Sequence, residues 1–278
     1  MKPIVIIFFL FLAQLAWAEA DKLFQEARAL IGRDNPEAFK LMQRAAEEGS
    51  ADAQGGLGYF YAQGIEVPKD EAKAADCFKK GAEGGSARSQ LNYAAVLLAG
   101  QGVKKDPAEA VPWLEKAAEA GVPEAQERLG LLLYHGDLIE GVDKNLERAR
   151  KLLQEAAEAG QPESQNAIGT IYEDAGDATA SEKWFRKAAA QKDRKGLSSL
   201  GQLLFVSSKP SDRKRRVEGL RCLLEAEGMG EVTARKALAE YAMSIKPAEI
   251  EEAREEMVRG AILGAVEASQ TKEPKTKN

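Results

Sequence analysis

The chain is poor in the residues that most chemistry requires. It has one histidine, two cysteines and three tryptophans among 278 residues, and its aromatic content is 6%. With His135 alone, a His-containing metal cluster or a Ser-His-Asp arrangement has a single residue to depend on. Two cysteines exclude a disulfide-dense scaffold. An excess of positive charge is also missing. The formal charge is −5, which argues against the basic face of a nucleic-acid binder. The apolar stretch from Ile4 to Leu15 is shorter than the ~20 residues needed to span a bilayer.

What the chain has is a repeated pattern. The text Ala-x-Ala-Gln-x-x-Leu-Gly-x-x-Tyr, then Gly-x-x-Val, Asp-x-x-x-Ala and an aromatic followed by x-Lys-Ala-Ala-Glu-x-Gly, recurs with small changes between Ser50 and Gly160. Gly49, Gly85, Gly121 and Gly160 close successive copies at spacings of 36, 36 and 39 residues. Self-similarity at that period indicates stacked helix pairs, because one pair cannot bury its apolar face until a neighbour covers it.

The copy from Ser86 to Gly121 shows the physical grammar. Gln90, Tyr93, Ala94, Leu97 and Leu98 follow helical spacing, and Gly100-Gln101-Gly102 turns the chain. Asp106-Pro107-Ala108-Glu109 restarts a helix with a cap, a proline at the first position and a capping-box glutamate. Val111, Trp113, Leu114, Ala117 and Ala118 form its inner surface, and Gly121 ends it. Gly58, Ala94 and Gly130 let helix axes approach closely.

Degenerate copies stay in phase further on, pairing Leu129-Gly130 with Leu200-Gly201 and Leu238-Ala239. The expected architecture is all-α: an α/α solenoid, a right-handed superhelix of about seven helix-turn-helix units. Their bounds are about 21–49, 50–85, 86–121, 122–160, 161–192, 193–230 and 231–264, within a single domain at 19–268.

With those residues identified, the chain resembles the Sel-one-like repeat (SLR) family, relatives of tetratricopeptide repeats. Ala53, Leu57, Gly58, Tyr61, Gly64, Val67, Asp70, Ala74, Phe78 and Gly85 match the family pattern. The resemblance is strong over Asn35–Gly160 and weaker over Gln161–Gly264. It implies a non-enzymatic adaptor or regulator that binds protein. A cysteine-rich branch of the family carries a disulfide in each repeat, and this chain departs from it. The alternative implied by that branch is a secreted enzyme or binder of an envelope polymer such as peptidoglycan.

The ends give further expectations. Lys2, the apolar stretch and Ala16-Trp17-Ala18 read as a secretory signal over residues 1–18, placing the mature chain in the periplasm or outside the cell. Residues 269–278 read as a disordered basic tail. Cys77 and Cys222 share a repeat column four units apart. With helices packing ~8–10 Å apart, that separation exceeds disulfide reach, so they read as separate core thiols.

No catalytic group, metal site or cofactor site is expected. Gly100-Gln101-Gly102 follows a helix and lacks the rest of a phosphate loop. Glu47-Glu48, Asp174 with Asp177, Glu251-Glu252 and the run Arg213-Lys214-Arg215-Arg216 read as solvated helix surface.

The resemblance to tetratricopeptide arrays implies that first helices line a concave wall. By register that wall carries Asp52, Tyr59 and Gln63, then Arg88, Leu91, Ala95 and Leu98, then Glu124, Glu127, Leu131, Tyr134 and His135, then Glu163, Asn166, Thr170, Glu173 and Asp174. Tyr59, Leu91, Leu98, Leu131 and Tyr134 would form an apolar strip beside carboxylates at Glu124, Glu127, Glu163, Glu173 and Asp174. The partner expected there is a protein segment with apolar anchors and basic residues, with no nucleic acid and no stable membrane insertion.

Overall fold

The structure, a computed structural model, describes residues 18–270. Residues 1–17 and 271–278, which carry nearly all of the expected signal and basic tail, lie outside the described residues. The described chain is helical, without strands, and its contacts divide it into two compact units, 1–152 and 153–278.

The first unit begins with α1 (18–30) and α2 (Asn35–Glu47). It continues through α3 (Ala51–Gln63), α4 (Glu71–Glu83), α5 (Ala87–Ala99), α6 (Pro107–Glu119) and α7 (Pro123–Tyr134). The boundary between the units falls within α8 (Leu146–Glu158). The second unit holds α9 (Pro162–Asp174), α10 (Ala178–Ala190), α11 (Arg194–Ser207), α12 (Arg213–Gly228), α13 (Val232–Tyr241) and α14 (Pro247–Gln270). These are seven helix pairs, as the repeats predict. The last pair extends past the expected end near Gly264, because α14 runs to Gln270.

Local chemistry sets each pair. Ser50 and Ser86 cap α3 and α5, accepting from the amides of Ala53 and Ser89. Asp70 and Asp106 cap α4 and α6 in the same way, through Lys73 and Glu109. Gly64 and Gly100 end the first helices in the left-handed conformation. The loop that follows is tied back to its own helix by an amide at the next cap, Asp70 to the Tyr61 carbonyl and Asp106 to Leu97, each at 2.9 Å. Asn145 repeats the tie to Leu133 at 3.0 Å.

Packing then depends on absent side chains. A Cβ on Gly58 would lie 2.6 Å from the Phe78 ring, and one on Gly169 would lie 2.4 Å from Phe185. At Gly102 a Cβ would meet the Glu71 carbonyl at 2.0 Å, so the turn of one repeat rests directly on the backbone of the preceding one. The cores are built from small and branched residues: Leu97, Leu114 and Leu129 in the first unit, and Leu204, Leu220 and Leu223 in the second. Each core also holds a buried amide, Gln90 donating to the Ala82 carbonyl in the first unit and Gln165 to Ala157 in the second.

Candidate functional site

The expected wall begins with α3, α5 and α7. Tyr59 is 44% exposed on α3, set edge-on to the buried Phe60. Arg88 is exposed on α5, while Leu98 is half-buried against the core. Leu91 is a correction: at 6% exposure it is part of the core and not of an accessible strip. Its helix contacts α3, α4 and α6, which leaves a narrower exposed arc than a single helical wheel implies. On α7, Glu124, Glu127, Leu131 and Tyr134 are half-buried. His135 follows the helix, exposed and edge-on to Tyr134 with ring centroids 4.9 Å apart.

Asp52 is exposed and accepts from the Ser86 hydroxyl, so its carboxylate ties one repeat to the cap of the next. The accessible apolar surface of this wall thus reduces to Tyr59 with the half-buried edges of Leu98, Leu131 and Tyr134.

In the second unit, α9, α11 and α13 lie side by side. Glu163 is not a free carboxylate: Lys195 of the next repeat pairs with it at 2.6 Å. Glu173 and Asp174 are exposed neighbours at the other end of α9, and partial desolvation together with Asp174 pushes the Glu173 carboxyl above its usual range. The Asp177 side chain caps α10 through Ala180. The expected site residues therefore fall in both units, Tyr59 to His135 in the first and Glu163, Glu173 and Asp174 in the second.

Two other expectations change. Cys222 is buried, and burial pushes its thiol up to about 11, but Cys77 is only half-buried and so is not a full core thiol. The basic run is solvated surface only at Arg213 and Lys214, since Arg215 is half-buried and Arg216 buried. Arg216 is buried against Glu249, Arg215 pairs with Glu182, and Arg213 pairs with Glu252. Glu251 of the neighbouring acidic pair meets Arg254 at 3.5 Å.

Two grooves have charged residues in their lining. One of about 300 Å³ is lined by Gln63, Lys69, Glu71 and Gln101 with three apolar residues. Another of about 440 Å³ is lined by Ala178, Thr179, Glu182, Lys183, Arg186 and Arg215, and its one carboxylate is held by both arginines. Among the described residues no group of His, Cys, Asp and Glu is placed to hold a metal ion, and no helix is long and apolar enough to cross a membrane.

Stacked helix pairs closed by glycine, with first helices side by side, define an α/α repeat scaffold. The Sel1 repeat model matches five copies, at residues 12–50, 51–86, 87–122, 123–161 and 162–193, and the chain belongs to the Sel1 repeat family. Members of that family bind protein partners. A Sel1 repeat protein from Oxalobacter formigenes has the same fold at 24% identity and a TM-score of 0.64, over 86% of this chain and 99% of that one. A protective antigen of uropathogenic Escherichia coli strains, which displays an SLR fold, aligns at 20% identity and a TM-score of 0.45 over 95% and 72%. An immunity protein from Pseudomonas aeruginosa aligns at 22% identity and 0.44 over 79% and 83%. Functionally curated proteins gave no match.

Proposed function

We propose that the chain is a non-enzymatic adaptor or regulator, acting in the periplasm or outside the cell, that holds a protein segment against its first-helix wall. The observation that carries this reading is the wall of the first unit. Tyr59 is left 44% exposed on α3, and the first-helix positions of the next two repeats carry the exposed Arg88, the half-buried Glu124 and the exposed His135. An exposed aromatic on one first helix with charged residues on the following ones supplies the elements of a binding surface, the ring contact area and the charges register. The signal-like segment at residues 1–18 supports the location.

The test is an affinity capture from an envelope extract of the source cell, using the mature chain and two variants, Tyr59→Ala and Glu124→Lys with Glu127→Lys. A protein held by the native chain and lost from the variants, at unchanged helix content, supports the reading. A glycan or small ligand enriched in place of protein overturns it.

A further inference from the structure

The overall charge of −5 conceals a separation. Residues 183–216 carry eleven lysines and arginines against two aspartates, and residues 218–256 carry ten glutamates against five lysines and arginines. In the structure these blocks meet helix to helix. Arg186 of α10 pairs with Glu218 of α12, and Arg215 of α12 returns to Glu182 of α10. Between α12 and α14 the pairs are Arg213 with Glu252 at 2.7 Å, Arg216 with Glu249 at 2.9 Å, and Arg221 with Glu256 at 3.7 Å.

Beyond these pairs, the described side chains of α14 add few buried contacts. Over residues 247–261 only Glu249 and Ala253 are buried. Ala253 sits on an apolar floor of Phe205, Val217 and Leu220, with Leu224 half-buried beside it. The three carboxylates stand at i, i+3 and i+7 around that alanine, which puts them on one stripe of the helix. The floor thus already fits a helix of one description: small at the centre, acidic along one flank, and met by three arginines.

We propose that α14 is a releasable strap, held to α12 mainly by charge, and that the floor it vacates takes an amphipathic partner helix with carboxylates at i, i+3 and i+7 around a small residue. Such a helix reproduces the three ion pairs and the small central contact by which the described part of α14 meets α12, so the two compete for one seat. The apparent affinity for the partner is then set by the fraction of chain in which the strap is open. This inference concerns the second-helix layer and is independent of the first-helix wall.

The probe is a fluorescein-labelled peptide of residues 247–260, with a control in which Glu249, Glu252 and Glu256 are replaced by lysine. Binding to the full chain is read by anisotropy, and opening by amide hydrogen exchange. In the native chain, α14 amides should exchange faster than those of α12 and accelerate further between about 50 and 500 mM salt, as screening shortens the reach of the exposed pairs. Glu252→Gln with Glu256→Gln in the chain, both outside the core, should weaken the strap and tighten the peptide roughly fivefold to tenfold. Arg213→Glu with Arg221→Glu should abolish peptide binding. Exchange of α14 and α12 in one step at every salt concentration overturns the strap. Equal binding of the lysine control overturns the charge-read floor. A concentration-dependent dimer of the Gln variant with no gain in peptide binding overturns the partner-helix assignment in favour of a second copy of the chain.

Discussion

Single residues set two different kinds of constraint in this fold. Gly85 and Gly102 both have positive φ, at +91° and +71°, but a Cβ on Gly85 meets nothing within 4 Å. Gly85→Ala should therefore cost only the left-handed backbone term, about 1 kcal/mol. Gly102→Ala adds a collision with the Glu71 carbonyl and should cost ~2–4 kcal/mol. Urea denaturation of the two variants measures the difference. Arg216 and Glu249 constrain through charge. The guanidinium, followed by the Lys246 amide, holds the Glu249 carboxyl below its usual range despite burial. A depressed carboxylate adds stability that is fully present above its unfolded pKa of ~4.3 and is lost as pH falls through the lower folded value. Glu249→Gln should be less stable than the native chain by about 3 kcal/mol at pH 7, since it leaves Arg216 buried and unpaired. It should also lose less on acidification, because the amide does not titrate. Stability measured at pH 7 and pH 3 checks both signs.

At the scale of the helix, caps were the most legible feature because they are local. Asp106-Pro107 and Ser86 stand in the sequence where the structure uses them. The pattern also exposes a weak point. Gln161 precedes α9 in extended conformation without a side-chain cap bond, where Ser50, Ser86 and Asp193 supply one. Gln161→Ser should stabilise the chain by about 1 kcal/mol and raise the melting temperature by ~2–4 °C, read by circular dichroism. Burial was less legible than capping. Leu91 reads as wall on a helical wheel, but α5 touches α3, α4 and α6, and among three neighbours Leu91 is buried. The burial of Arg216 and half-burial of Arg215 are illegible in the run itself for a related reason. Its partners lie 33 to 39 residues away, at Glu182, Glu249 and Glu252. A search for opposite charges at the repeat period would have found them, and the same signal gives Glu163 with Lys195 and Arg186 with Glu218 at a separation of 32.

Across the whole chain, the charge ladder of the second unit should appear in the choice of denaturant. Guanidinium chloride screens ion pairs while it unfolds, and urea does not. Stability extrapolated from guanidinium should fall below that from urea by ~1–2 kcal/mol, and the shortfall should vanish in a variant with Arg186, Arg213 and Arg215 changed to glutamine. The ladder also bears on how such a chain can change over generations. Repeats joined by a shared glycine-and-alanine grammar are interchangeable parts, and unequal recombination can add or drop one without a mismatch at the seam. The repeats around α10, α12 and α14 are addressed instead: a duplicated copy of α12 would set arginine against arginine. Length variation among descendants of this sequence should therefore accumulate on the side of the regular repeats, leaving the order of the last three fixed.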